Sequence, residues 1–175
     1  VIVVGDNGPA IYSDDLGKTW EKLYVKVEPW EERGAKSIVY HNDAFLLVKG
    51  SGQTIFRSTD KGLTWSSHAL GIERPASRSY FLSVLGDEVW ATGQTSKRSK
   101  DGINWTDIET KDLSGQIAKS DKGTLINVNI KRYSILRSKD NGKTWQEVYK
   151  FSPKGTGGAQ GLSSVKFGYV NKVSK

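Results

Sequence analysis

The chain has 175 residues, about one ordinary domain, with 36% hydrophobic and 26% charged residues, a balance that excludes a disordered tail. It contains no cysteine, which excludes disulfides, thiolate metal sites and a cysteine nucleophile, and no apolar run reaches the roughly 20 residues of a membrane-spanning helix. The net charge of +7 is uneven: residues 1–87 hold 10 Lys/Arg against 11 Asp/Glu, and residues 88–175 hold 16 against 8.

In chain order, short strands are predicted at 1–5, 10–12 and 20–25, from runs of β-branched and aromatic residues between turn signals. The next unit reads 37–40, 44–48, 54–57 and 65–69, with turns at His41-Asn42-Asp43 and Gly50-Ser51-Gly52. A third follows at 80–84, 88–92, 95–98 and 105–108, and a fourth at 116–119, 124–128, 133–136 and 145–149. Helices are expected to be nearly absent. Units of about 40 residues with four short strands each have the pattern of β-propeller blades. The start at Val1 and the lack of methionine fit a processed or trimmed product.

One motif returns before the last strand of every unit. Its copies are Ser13, Asp15, Gly17 and Trp20; Ser58, Asp60, Gly62 and Trp65; Ser99, Asp101, Gly102 and Trp105; and Ser138, Asp140, Gly142 and Trp145. The serines are 45, 41 and 39 positions apart and the tryptophans 45, 40 and 40, the third copy lacking one residue between Asp and Gly. Ser and Asp side chains close tight turns by bonding nearby N–H groups, Gly supplies a positive φ, and Trp starts the next strand with a large apolar surface. Four equivalent copies mark a structural element, and a catalytic Ser/Asp pair is not expected from them.

These copies resemble the Asp-box (BNR) repeats of sialidase-like propellers, with the pattern Ser-x-Asp-x-Gly-x-Thr-Trp. The resemblance spans the chain and implies an all-β fold, a small β-propeller of four four-stranded blades. It implies a structural hairpin on the face opposite the ligand site. The N-terminal blade lacks a first strand, and residues 162–167 read like 35–40, so N- and C-terminal strands are expected to close one blade. The blades are then 162–175 with 1–28, 34–70, 78–110 and 114–150, in a single domain. Closure within one chain, a monomer, is the favoured expectation; a strand-exchanged dimer is the alternative.

In such a propeller the loops between blades share a face with those joining second and third strands. The candidate ligand-binding residues there are Trp30, Arg33, Arg74, Arg78, Gln94, Asn129 and Arg132. Trp30 lies outside the repeat register in a charged loop, where an aromatic ring can stack on a sugar or a partner's apolar spot, or plug a gap between blades. Trp90 is expected in the core. Arg57, Arg98 and Arg137 each precede a motif serine, a periodicity that implies structural or solvated roles. The glycine-rich stretch 153–161 lacks a phosphate-loop ending and reads as a connector. His41 and His68 have no ligand-spaced partner, so no metal site and no cofactor are expected.

A sialidase-type enzyme would need an arginine triad, a Tyr–Glu nucleophile pair and an acid/base Asp, with an Arg-Ile-Pro signature near its start. Arg74-Pro75 is the one Arg-Pro pair and lies mid-chain. The expected function is therefore a non-catalytic binding or scaffold module for a glycan or protein partner, on a cell surface or in a virion. The alternatives are a degenerate glycosidase and an assembly factor resembling those of photosystem II. The basic second half lacks interleaved aromatics, and nucleic acid is not the expected partner.

Overall fold

Short alternating runs bounded by tight turns leave the backbone a simple way to satisfy its N–H and C=O groups, which is pairing with the next strand in sequence. The computed structural model describes residues 1–5, 10–23, 35–49, 53–72, 80–93, 95–110, 113–151 and 164–168. All strand pairs among them are antiparallel and follow chain order.

The first sheet has three strands, β1 (Ile2–Val3), β2 (Ile11–Tyr12) and β3 (Glu21–Lys22). The second has four: β4 (Ala35–His41), β5 (Ala44–Lys49), β6 (Thr54–Ser58) and β7 (Ser66–Ala69). The third comprises β8 (Phe81–Leu85), β9 (Glu88–Thr92), β10 (Lys97–Ser99) and β11 (Thr106–Asp107). The fourth comprises β12 (Ile117–Lys119), β13 (Leu125–Asn129), β14 (Ser134–Ser138) and β15 (Gln146–Lys150). No helix occurs among the described residues.

Two expectations need correction. The last strand of each sheet starts one residue after the motif Trp, at Glu21, Ser66, Thr106 and Gln146. The indole closes the turn itself, so Trp belongs to the turn. The tail strand expected to complete the first sheet is not formed: residues 164–168 carry no strand assignment, and 162–163 lie outside the described residues. A strand exists only through its ladder, and this segment pairs with none.

The chain divides into two compact units, Val1–Ser114 and Gly115–Lys175. In the first, successive sheets bury one apolar layer each. Ala10, Leu23, Ala35, Leu47, Phe56 and Trp65 fill the layer between the first and second sheets. Leu46, Val48, Ile55, Leu70, Tyr80, Leu82, Val89 and Ala91 fill the layer between the second and third. Alternation in β5 explains both layers, because Leu46 and Val48 face one way and Leu47 the other. Ser37 of β4 adds a polar tie, its hydroxyl accepting from the Leu82 N–H at 3.1 Å. In the second unit, Leu125, Val128 and Leu136 are buried with the polar side chains of Asn127, Asn129 and Ser134.

Candidate functional site

The polar chemistry of the repeats is local and identical in plan. In all four copies the Ser hydroxyl donates to the Asp Oδ1, at 2.8, 2.8, 2.9 and 2.7 Å, and accepts from the Gly N–H at 2.8 to 2.9 Å. The same Asp oxygen accepts from the N–H of Thr19, Thr64, Asn104 or Thr144. The other oxygen accepts from the Thr19, Thr64 or Thr144 hydroxyl, and in the third copy from the Asn104 amide. Each Trp Nε1 donates to the Gly carbonyl, at 3.1, 2.9, 3.3 and 3.0 Å. Leu16, Lys61 and Asn141 hold the left-handed conformation just before the Gly. The third copy omits this residue, yet keeps every bond of the pattern by using Asn104 in place of Thr.

Donors crowding a carboxylate favour its charged form. The Thr19 N–H and hydroxyl and the Ser13 hydroxyl lower the Asp15 carboxyl to about 2. The Thr64 and Thr144 hydroxyls and N–H groups lower Asp60 and Asp140 to about 2 in the same way. At Asp101 partial burial pushes the carboxyl up, but the Asn104 and Ile103 N–H groups override it and hold the group well below the usual carboxylate range. These carboxylates are fixed acceptors for their own turns. They are poorly suited to exchange protons near neutral pH.

Each turn also serves as a joint. In the second sheet, Leu46 meets Gly102 of the third turn so closely that a Cβ there would lie 2.5 Å from its Cδ2. Asn42 Nδ2 donates to the Lys100 carbonyl at 2.9 Å, His41 Nε2 lies 3.1 Å from the same oxygen, and Arg57 Nε donates to the Asp101 carbonyl at 3.3 Å. Ile2 and Leu23 of the first sheet meet Gly62 in the same manner, at 2.9 and 3.3 Å from a Cβ built there. The periodic arginine Arg57 is thus structural, and Arg98 pairs with Glu88 at 3.6 Å. Glu88 also accepts from the indole of Trp90, which is buried as expected.

Of the loop residues proposed from sequence, Trp30, Arg33, Arg74, Arg78 and Gln94 lie outside the described residues, as does the stretch 153–161. Asn129 and Arg132 lie on the β13–β14 loop and are brought together. The Arg132 N–H donates to Asn129 Oδ1 at 3.0 Å. Asn129 is buried and shapes the turn, whereas Lys131 and Arg132 are exposed at its tip. Tyr133 and Phe151 stack edge to face beneath it, with centroids 5.9 Å apart.

Sequence reasoning missed two supports of the β9–β10 loop. Tyr80 is buried against Gly93, and its hydroxyl accepts from the Thr95 N–H at 3.2 Å. Lys97 is buried with its ammonium 2.8 Å from Asp107. Its register carries Ile11, Phe56 and Leu136 in the other sheets, and this polar residue in an apolar register was the available signal. An open cleft of about 280 Å³ lies between Glu88, Arg98, Lys100 and Asp101, with the ion pairs Arg98–Glu88 and Lys100–Asp87 in or beside it. No group of His, Asp or Glu fit for a metal ion occurs among the described residues.

Residues 14–157 match the family described as the DUF6242 beta propeller domain. A xyloglucanase from a Paenibacillus species is 26% identical over 152 residues, 82% of this chain and 13% of its own length. Xyloglucanase Xgh74A of Acetivibrio thermocellus is 30% identical over 158 residues, 85% of this chain and 17% of its own. Among solved structures, YCF48 bound to D1 peptide shares the fold with a TM-score of 0.65 at 20% identity, over 83% of this chain and 49% of that one. The chain therefore spans less than a fifth of these curated relatives and about half of the YCF48 chain.

Proposed function

The chain belongs to the DUF6242 β-propeller family, and on that premise we propose that it is a non-catalytic binding module whose partner is a protein. In this reading the four sheets are propeller blades, the four turns are Asp-box repeats, and a tail segment supplies the strand missing from the first sheet. The observation that carries it is the commitment of all four Ser/Asp pairs to their own turns. Their oxygens hold backbone, so recognition falls to the loop residues Trp30, Arg33, Arg74, Arg78, Gln94, Asn129 and Arg132. The exposed basic tip at Lys131 and Arg132 suits an acidic or carbonyl-rich peptide segment. The peptide bound to YCF48 supports a protein partner.

A glycan partner is the second reading, favoured by the likeness to two xyloglucanases. Peptide and glycan arrays probed with the native chain and with Trp30→Ala separate the two. Saturable peptide binding, weakened in the variant and with an unchanged circular dichroism spectrum, supports the protein reading. Binding restricted to glycans replaces it with the second, and release of reducing ends from xyloglucan overturns both by showing an enzyme.

A further inference from the structure

We propose that the first and last sheets carry the two halves of one further joint, and that a second copy of this chain occupies it head to tail. The joint between the second and third sheets defines the parts: an aliphatic seat, an arginine grip and a turn glycine that fits against them.

The first sheet has the turn without a seat. In its register Val3 and Trp20 are 44% and 42% exposed, where Leu47 and Trp65 of the second sheet are 0% and 8%. Gly17 is half-buried, whereas Gly62, Gly102 and Gly142 are buried. Among the described residues, only Trp20 stands within 4 Å of a Cβ built on Gly17. The fourth sheet has the seat without a turn. Ile126 and Ile135 are half-buried in the register where Leu46 and Ile55 are fully buried, and Arg137 stands in the register of Arg57.

The two halves are complementary in shape and charge. Ile126 would fit Gly17 as Leu46 fits Gly102, and Arg137 would grip the Asp15 carbonyl as Arg57 grips that of Asp101. Asp14 stands where the third and fourth turns carry Lys100 and Lys139, and so places an acidic group opposite Arg137. Both faces are open on one chain, so the occupant is another chain with the same faces. Two such contacts close a symmetric pair and leave no exposed blade edge. The unpaired tail at 164–168 then has the open edge of β1 in its partner as a place to add. This pairing is independent of what the loops bind.

Sedimentation equilibrium of the full chain over a wide concentration range tests it. The expected mass is twice the 19.4 kDa of one chain. Asp14→Lys and Arg137→Glu, each keeping the native circular dichroism spectrum, should weaken the pair roughly tenfold or more, and the double variant should restore it. Lysine already occupies the Asp14 position in two other turns, which protects the fold in that variant. A single-chain mass at every concentration, a mass that grows without limit, or a double variant no tighter than the singles would each overturn the proposal.

Discussion

Gly102 has two demands on it, and only one of them concerns backbone conformation. Its φ of 75° disfavours any side chain, and Leu46 fills the space a Cβ would need. Gly123, at φ 81°, has nothing within 4 Å among the described residues. Gly102→Ala is therefore expected to cost about 2–4 kcal/mol in urea unfolding and Gly123→Ala about 1–2 kcal/mol, the difference being the lost fit against Leu46. Leu46→Ala should recover part of the Gly102→Ala loss in a double-mutant cycle. The turn carboxylates give a second residue-scale expectation. Asp15, Asp60 and Asp140 ionise at about 2 in the folded chain against an ordinary value of 3.8, so their contribution is fully present above about pH 4. It is lost as the pH falls from there through about 2. Urea midpoints should drop across that window, and a chain with both Asp60→Asn and Asp140→Asn should drop less steeply.

At the scale of the element, the β9–β10 loop depends on residues outside it. Tyr80→Phe removes the acceptor of the Thr95 N–H, with an expected loss of about 1 kcal/mol and faster hydrogen exchange at that amide. Lys97 is buried while its partner Asp107 is largely exposed. Lys97→Leu restores the apolar register and leaves Asp107 solvated, so thermal unfolding should occur at the same temperature or a few degrees higher. A clear drop would show that the ion pair holds β10 to β11. The strands and turns were legible in the sequence because their determinants lie close together. The motif Ser reaches its Asp two residues on, and the Asp reaches Thr or Asn three or four residues on. Tyr80 was legible only as a strand residue, since its contact is with Thr95, 15 positions away.

For the molecule as a whole, stability in the first unit depends on layers shared between sheets. Phe56 lies among Ala10, Leu23 and Trp65, so Phe56→Ala is expected to cost about 3–5 kcal/mol. Tryptophan fluorescence and far-ultraviolet circular dichroism should report the same lowered midpoint if the sheets melt together. The layers also explain why the faces at the two ends differ from those within. Val3 and Trp20 repeat the chemistry of Leu47 and Trp65 but lack the neighbouring sheet that buries the latter pair. The proposed pairing of two copies supplies that sheet.

The sequence by itself determined the four units, their strand order, the turn motifs and the core position of Trp90. Each rests on period-two patterning or on hydrogen bonds spanning a few residues, which a linear chain displays directly. Only the tertiary structure decided that Asn129 shapes a turn, that Lys97 is buried, and that the motif glycines are seats for the preceding sheet. Those outcomes depend on which side chain from a distant strand arrives within 3 to 4 Å. The spacing of residues along the chain does not encode that approach; the packing of one sheet against the next creates it.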